Sequence, residues 1–246
     1  MSDWHVARED APAQVIAHRG ASAYAREHSF SAYDLALTQG ADALELDVRS
    51  MADGRLVVLH DARLLRTARD PRAIADLCAA ELASLDPAVR PPTLDAVLDR
   101  YGTATRWLVE LKRPTLATQR GVAAALTVRG LEEVSIVQSF NAVALRRLRR
   151  AAPSLMVAPL YRRAPRARLL RAVATFAVGV GVGHAAVDPA LLLRAHACGL
   201  AVNAWTANAR ADIERLVALG VEGVITDVPD VARAVVDGHT DVAAAA

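Results

Sequence analysis

The sequence predicts an α/β fold, a (β/α)8 TIM barrel with a small insertion near the barrel mouth. Its 246 residues, of which 53% are apolar, are enough to bury one large core. Short β-branched runs alternate with longer Ala-, Leu- and Arg-rich segments of helical period, which is typical of parallel strands joined by crossover helices. We therefore expect residues 1–246 to form a single domain, with its core at about 15–235 and the insertion at about 62–106.

Nine short segments are candidate strands, one more than a barrel needs. The second and third lie too close together for a crossover helix between them. The third is therefore either a true barrel strand or a strand at the rim, and the sequence leaves that choice open. The candidates are residues 15–20, 43–48, 56–61, 107–112, 135–140, 156–161, 185–188, 201–206 and 224–227.

Helix boundaries are clearest in three places. Ser29 can cap a helix over residues 29–39, and Gly40 can end it. Residues 191–198 and 212–219 are each followed by a glycine and then by a candidate strand. Residues 62–106 contain four prolines and only short helical patches, and we interpret this stretch as the insertion.

Composition argues against several classes of function. Twenty-nine basic and 27 acidic residues give a formal charge of +2, too balanced to indicate nucleic-acid binding. Cys78 and Cys198 are far apart, so neither a disulfide framework nor a thiolate metal site is expected. Residues 1–10 lack the apolar segment of a secretory signal, and the apolar run at 172–183 is shorter than the roughly 20 residues that span a membrane. We expect a cytoplasmic protein without a transmembrane segment.

Nine arginines lie between Arg146 and Arg171. Clustered cations could attract an anionic membrane surface. The apolar segment between them has the pattern of a barrel strand, however, so we interpret these arginines as ordinary solvated helix faces.

Two carboxylates share one face of the second candidate strand. The two-residue period of a strand places Glu45 and Asp47 on one face and their aliphatic neighbours on the other. Paired carboxylates in an enclosed site repel one another unless a cation or proton intervenes, and hard oxygen ligands suit Mg²⁺ or Ca²⁺. We infer a divalent metal ion; the alternative is that each carboxylate pairs with Arg or Lys in a structural network.

Glu110 and Lys112 repeat this arrangement on the fourth candidate strand. Glu110 offers a third metal ligand, and Lys112 could bind an anionic substrate. The alternative is a buried ion pair between the two. These carboxylates lie toward the C-terminal ends of their strands, where barrel enzymes place catalytic groups.

Two histidines follow apolar runs, His18 at the end of the first candidate strand and His60 at the end of the third. Histidine exchanges protons near neutral pH, so two of them beside a phosphorus centre can act as general base and general acid. The planar donor fork of Arg19 suits phosphate oxygens, although an arginine at a strand end can equally be a structural ion-pair partner.

Together these motifs resemble the signature of the glycerophosphodiester phosphodiesterase family, a group of PLC-like phosphodiesterase TIM barrels. The resemblance covers roughly residues 15–235 and implies metal-dependent hydrolysis of a small-molecule glycerophosphodiester to sn-glycerol 3-phosphate and an alcohol. The motifs that carry it are His18-Arg19-Gly20, Glu45-Leu46-Asp47, His60-Asp61, Glu110-Leu111-Lys112, Gln138-Ser139-Phe140, Trp205-Thr206 and the segment 223–229. The roles it implies are metal binding by Glu45, Asp47 and Glu110, acid–base catalysis by His18 and His60, and phosphate contacts by Arg19 and Lys112.

One loop departs from the family pattern. Where the family usually reads Pro-Glu-Asn-Thr, this chain reads Arg26-Glu27-His28-Ser29. His28 can still donate a hydrogen bond, but it differs from Asn in size and can gain charge, which bears on metal geometry and substrate preference. Glu27 is a secondary candidate site residue, with support of a helix N-terminus as its alternative role.

Trp205 and Phe140 are further secondary candidates. Trp205 could form a wall of the pocket near the glycerol or simply fill the top of the barrel. For Phe140 the sequence leaves the same two roles open.

Three functions are compatible with these residues. Hydrolysis of glycerophosphodiesters uses every motif. Lysophospholipase D-like action on lysophospholipids would require an apolar channel for the acyl chain, for which residues 172–182 are the candidate. A non-catalytic phosphate-binding barrel would result if the altered loop had abolished turnover, but the presence of all three carboxylates and both histidines argues against it.

Overall fold

Eight parallel strands form a closed barrel in the computed structural model, which describes residues 11–244. The order around the barrel is β1-β9-β8-β7-β6-β5-β4-β2, and pairing of β1 with β2 closes it. This confirms the predicted (β/α)8 fold. The strands are β1 (Gln14–His18), β2 (Ala43–Ser50), the additional β3 (Leu56–Val58), β4 (Arg106–Leu111), β5 (Ser135–Ser139), β6 (Met156–Tyr161), β7 (Gly179–Gly183), β8 (Ala201–Trp205) and β9 (Gly223–Thr226).

Helices follow the strands and cover the outside of the barrel. Ser29 caps the first helix, which begins at Phe30, by accepting a hydrogen bond from the Ala32 amide; the sequence predicts this cap. Short 3₁₀ turns occur at Ile74–Asp76, Gly102–Ala104, Glu132–Val134 and His184–Ala186. The α-helices are α1 (Phe30–Thr38), α2 (Leu65–Ala68), α3 (Ala79–Ala83), α4 (Leu94–Tyr101), α5 (Leu116–Thr127), α6 (Ala142–Ala151), α7 (Ala167–Val173), α8 (Pro189–His196), α9 (Arg210–Leu219) and α10 (Pro229–Ala244). Among the described residues, no helix is both long and apolar enough to cross a lipid bilayer.

β3 is a rim strand and does not belong to the parallel barrel. It runs antiparallel to the end of β2, with Val58 opposite Val48 and Leu56 opposite Ser50. The short link between β2 and β3 allows only this reversal of direction. Because β3 turns back along β2, it returns the chain toward the barrel mouth just before His60.

The seventh barrel strand was expected at residues 185–188, and this prediction was wrong. The strand is β7, with the sequence Gly-Val-Gly-Val-Gly, whereas Asp188 caps α8. A glycine-rich run has little intrinsic tendency to form a strand. Here the glycines allow neighbouring backbones to approach closely: a Cβ on Gly183 would lie 2.7 Å from the carbonyl oxygen of Arg162, and one on Gly179 would lie 2.8 Å from that of Ala201.

The segment between β3 and β4 packs in two places. Its first part packs in a small apolar cluster that is separate from the main core and includes residues next to β2 and in β3. The members of this cluster are Met51, Val57, Leu59, Leu64, Ile74, Leu77 and Leu82. Its last helix, α4, instead buries Leu94, Val97 and Leu98 in the main core between barrel and helices. The first part therefore lies beside the barrel rim, and α4 covers the barrel wall.

The barrel interior is narrow and apolar at its lower end. The side chains that meet there are Ile16, Ala43, Leu108, Ile136, Met156, Ala158 and Ile225. Because side chains alternate along a strand, the residue two positions further on points into the same interior but nearer the C-terminal end. This alternation places the polar residues of the site.

Candidate active site

The polar side chains at the mouth continue the interior rows of the barrel strands. On β1, β2 and β4, and at the end of β9, an apolar interior residue is followed two positions later by a histidine or a carboxylate. These pairs are Ile16 and His18, Ala43 and Glu45, Leu108 and Glu110, and Ile225 and Asp227. The strands of these residues are neighbours in the barrel, so the four polar side chains converge on one side of the mouth.

His18 has a carboxylate partner, Asp227, that the sequence alone does not indicate. Its Nδ1 lies 2.6 Å from Oδ1 of Asp227; that oxygen also accepts a hydrogen bond from Ser22, and Oδ2 of Asp227 accepts one from Asn208. Burial alone would raise the pKa of Asp227, but the hydrogen bonds, led by that of His18, outweigh it and lower the pKa to about 2. A charged Asp227 thus holds the Nδ1–H tautomer of His18 and leaves Nε2 for proton transfer.

Glu45, Asp47 and Glu110 form a buried acidic cluster. One oxygen from each lies within 4.8 Å of the others. Burial and the charges of the neighbouring carboxylates raise the pKa of Glu45 well above its ordinary value, and they raise the pKa of Glu110 as well. Burial also acts to raise the pKa of Asp47, but the hydrogen bond from His28 and nearby positive charges keep that pKa low. The three groups therefore resist carrying three negative charges together.

This cluster fits a hard divalent cation. Its donors are carboxylate oxygens, the ligands that Mg²⁺ and Ca²⁺ prefer. Oδ1 of Asp47 is buried and accepts no well-aligned hydrogen bond. An added positive charge among the three residues would relieve the repulsion that raises the pKa values of Glu45 and Glu110.

Two basic side chains lie against the cluster. Nζ of Lys112 is 3.1 Å from Oδ1 of Asp47 and 2.9 Å from Oε1 of Glu110. Burial acts to lower the pKa of Lys112, but these carboxylates outweigh it and raise the pKa, so the ammonium stays charged. The Arg19 amide donates to Oε2 of Glu45 at 3.1 Å, and its Nε is 3.2 Å from Oδ2 of Asp47. Lys112 thus forms a buried ion pair with Glu110, which was the structural alternative to substrate binding. At the same position its ammonium group can also meet an anionic substrate.

The unusual loop residue His28 orients Asp47. Its Nε2 lies 2.9 Å from Oδ2 of Asp47, and its Nδ1 lies 2.9 Å from the hydroxyl of Tyr33. Burial lowers the pKa of His28 in spite of the nearby Asp47. The neutral ring has one donor and one acceptor, so Nε2–H donates to Asp47 and Nδ1 accepts from Tyr33.

The backbone of this loop is also unusual. Arg19 and His28 both have positive φ, 61° and 58°, which is uncommon for residues other than glycine. The His28 amide donates to the Arg19 carbonyl at 2.9 Å and joins the two ends of the turn. No pattern in the sequence signals these left-handed residues or the contact of His28 with Asp47.

His60 lies at the mouth in a second histidine–carboxylate pair. Its Nδ1 is 2.7 Å from Oδ1 of Asp61. Burial lowers the pKa of His60, while the charge of Asp47 and the hydrogen bond to Asp61 oppose that change. His18 and His60 therefore both have Nδ1 engaged by a carboxylate and Nε2 available.

A chain of ion pairs connects His60 with Arg19 across the mouth. Nε of Arg66, on α2, donates to Asp61 at 2.6 Å, and the other two nitrogens of its guanidinium donate to Glu27 at 2.6 and 2.7 Å. Glu27 also accepts from Arg19 at 3.2 Å. The secondary candidate Glu27 thus binds two arginines and does not belong to the acidic cluster.

Phe140 and Trp205 meet edge to face across the other side of the mouth, with ring centroids 5.5 Å apart. Phe140 is 45% exposed, and the guanidinium of Arg162 lies over its ring at 5.3 Å. Nε1 of Trp205 is buried without a hydrogen-bond partner. These rings form an apolar wall on the side of the mouth away from the carboxylates, and a role of Trp205 in substrate binding stays a prediction.

Two histidines, three crowded carboxylates and two flanking basic side chains lie together at the mouth of a parallel barrel, an arrangement that fits a hydrolase of the phosphodiesterase class. The model of the glycerophosphoryl diester phosphodiesterase family matches residues 18–231, and the chain belongs to that family. It is thus a phosphoric diester hydrolase, a glycerophosphodiester phosphodiesterase by activity.

Individual relatives agree with this assignment. The chain is 30% identical over 256 residues to the glycerophosphodiester phosphodiesterase of Bacillus subtilis, covering 92% of this chain and 87% of the relative. It is 30% identical over 229 residues to that of Caldanaerobacter subterraneus, with coverage of 88% and 94%. A solved phosphodiesterase from Oleispira antarctica, in complex with the product sn-glycerol-3-phosphate, superposes with a TM-score of 0.83 at 27% identity, covering 92% of this chain and 97% of that one.

Proposed function

We propose that the protein uses a divalent metal ion, Mg²⁺ or Ca²⁺, held by Glu45, Asp47 and Glu110, to hydrolyse glycerophosphodiesters to sn-glycerol 3-phosphate and an alcohol. The observation that carries this proposal is the convergence of three buried carboxylate oxygens within 4.8 Å of one another. A metal ion bound there would supply Lewis-acid stabilisation of the charge on a phosphoryl oxygen.

Arg19 and Lys112 bind the substrate phosphate in this proposal. Both border the acidic cluster, so an anionic diester at the mouth meets two fixed positive charges. Charge that develops on the phosphoryl oxygens would be stabilised by groups that are already in position. The ion pairs of Arg19 and Lys112 with Asp47 hold both basic side chains in position beside the cluster.

His18 and His60 exchange the protons. With Nδ1 of each ring held by Asp227 or Asp61, one Nε2 accepts a proton from the attacking oxygen and the other donates one to the leaving alcohol oxygen. The attacking oxygen is either a hydroxyl of the substrate's own glycerol or a water molecule.

The two alternative functions have less support. Residues 172–182 form the end of α7, the following turn and most of β7. The β7 part is buried in the barrel wall, and residues 174–178 line a pocket with Arg146, Arg149 and Arg150 of α6 at the end of the barrel where β7 begins, so this segment gives no apolar channel into the mouth. A non-catalytic barrel was suggested by the altered loop, yet His28 makes a direct hydrogen bond to Asp47 and so supports the acidic cluster.

The test is release of glycerol 3-phosphate from glycerophosphocholine and glycerophosphoethanolamine by the purified protein. We expect release that EDTA abolishes and that Mg²⁺ or Ca²⁺ restores. Release that persists at the same rate in EDTA would refute the requirement for a metal ion. Absence of release with every diester and every metal ion would refute the proposed substrate class.

Two expectations from the sequence stay predictions. Fractionation of the producing cells tests the cytoplasmic location. Limited proteolysis tests the single domain, which should resist cleavage between about 15 and 235 except in the insertion at about 62–106.

A further inference from the structure

Large exposed apolar side chains are concentrated on the face that carries the site. Eight are exposed among the described residues, and six of these lie on segments that directly follow a strand. Segments that follow parallel barrel strands all emerge at the mouth. Leu65 follows the rim strand β3, and its neighbour Arg66 contacts Glu27 on the same face. The six residues are Tyr24, Leu65, Leu116, Phe140, Val143 and Leu169.

Three of the six, Phe140, Val143 and Leu169, lie on the consecutive β5–α6 and β6–α7 segments. Beside them is an open groove of about 850 Å³ lined by residues 161–166, 168, 169 and 172. The guanidinium of Arg162 joins the groove to the wall of the active site by lying over the ring of Phe140. We call this surface, formed by Phe140, Val143 and residues 161–172, the mouth patch.

The mouth patch has an excess of positive charge. It contains five exposed arginines, none of which has a carboxylate partner among residues 11–244: Arg162, Arg163, Arg166, Arg168 and Arg171. Elsewhere arginines do find such partners, for example Arg66 with Glu27 and Arg100 with Asp34. Unpaired guanidinium groups beside exposed apolar side chains are the combination found in surfaces that bind anionic amphiphiles.

The structure also divides the nine arginines into two groups. Arg146, Arg147, Arg149 and Arg150 lie on α6, along the side of the barrel and toward its lower end. The other five follow β6 at the mouth. Only the second group lies beside the active site, and three of its members, Arg162, Arg163 and Arg166, precede α7 and so do not lie on a solvated helix face.

We propose that the mouth patch docks the protein on an anionic lipid surface. Its arginines bind lipid phosphates, for which the guanidinium fork is suited. Leu169, Val143 and Phe140 enter the boundary between headgroups and acyl chains. Docking in this way turns the barrel mouth toward the lipid, so diesters released from or held in the membrane reach the site directly. This inference goes beyond the proposed function, because it requires neither the metal nor the histidines.

The first test is co-sedimentation of the full chain with vesicles of phosphatidylcholine, with or without phosphatidylglycerol. We expect the wild type to sediment only with the anionic vesicles and to be released by salt, because screening weakens contacts between exposed charges. The variant R163Q/R166Q/R168Q should bind at least about tenfold more weakly. It leaves Arg162 and Phe140 in place, so turnover of glycerophosphocholine in solution should not change.

A matched control removes the same charge from the other group of arginines. The variant R146Q/R147Q/R150Q alters three exposed side chains of α6 and should sediment like the wild type. Equal losses in the two variants would overturn the proposal, because binding would then depend on net charge and not on the mouth patch.

The apolar part has its own pair of variants. L169S/V143S removes two exposed side chains of the mouth patch, and V128S/L193S removes two that are 79% and 74% exposed at the end of α5 and within α8. Only the first should weaken sedimentation. Failure of the wild type to bind anionic vesicles, or equal binding to neutral ones, would also overturn the proposal. Because sedimentation needs no turnover, such a failure is distinct from a failure of the proposed function.

Discussion

Nδ1 of His18 and Oδ1 of Asp227 lie 2.6 Å apart although 209 positions separate these residues in the chain. They meet because β1 and β9 are hydrogen-bonded neighbours that end at the same level of the barrel. Asp227 fixes both the tautomer and the orientation of the histidine. The catalytic use of His18 therefore depends on a residue at the far end of the sequence.

Replacement of Asp227 by Asn should lower kcat by about 100-fold or more, because the amide can stabilise the wrong tautomer of His18 and cannot stabilise the imidazolium. KM should change less, since Asp227 does not reach the acidic cluster. Steady-state kinetics with glycerophosphocholine measure both constants. An unchanged kcat would show that His18 does not exchange protons in the rate-limiting step.

The same aspartate should contribute to the pH dependence of stability. Its pKa in the folded protein, about 2, lies below its ordinary value of 3.8. A carboxylate whose pKa is depressed by folding stabilises the protein above its ordinary pKa, and this contribution is lost as the pH falls through the folded-state value. We expect D227N to have a free energy of unfolding lower by about 2 kcal/mol at neutral pH.

Urea unfolding at a series of pH values tests this prediction. The difference between wild type and D227N should shrink as the pH is lowered from about 4 toward 2. A difference that stays constant over that range would mean that the carboxylate is not preferentially charged in the folded state.

His28 gives a third prediction, because it occupies the position at which the family usually has Asn. Its replacement by Asn should retain activity within about tenfold of the wild type, since Asn tolerates a positive φ and can still donate a hydrogen bond toward Asp47. Replacement by Ala should cost more, because it leaves Asp47 without this donor. Activity assays on the two variants make the comparison; equal losses would assign His28 a role that depends on the imidazole itself.

Arg66 gives a fourth prediction, since it connects Asp61, the partner of His60, with Glu27, the partner of Arg19. Arg66→Met should lower kcat about tenfold by loosening both groups, with little change in the thermal midpoint, because the side chain is half exposed. Arg63→Met is the matched control, an exposed arginine of the same segment whose guanidinium donates to the Pro71 carbonyl and pairs with no carboxylate among residues 11–244. If both variants behave alike, the chain of ion pairs does not position the catalytic groups.

The sequence predicted those parts of the site that depend on local periodicity. The two-residue alternation of β2 and β4 was enough to place Glu45, Asp47 and Glu110 on interior faces, and the positions of the strand ends brought them to the mouth. β7 was missed because its glycines carry no strand signal, and the close approach that requires them is visible only between folded strands.

The supporting contacts were not predictable for a different reason. Asp227 and Arg66 act through residues distant in sequence, and His28 reaches Asp47 only because Arg19 and His28 adopt left-handed backbone conformations. These contacts form only when the barrel closes and its loops fold over the mouth. The alternation of apolar and polar residues along a strand contains no information about them.

Calorimetric titration of Mg²⁺ and Ca²⁺ into the metal-free protein tests the central claim most directly. We predict one site in the wild type, loss of binding in Glu110→Gln, and unchanged binding in Glu222→Gln, which alters a glutamate paired with His196 far from the mouth. Loss of turnover should accompany loss of binding. A wild type that binds neither ion, or an E110Q variant that binds them as the wild type does, would contradict the assignment of Glu45, Asp47 and Glu110 as the metal site.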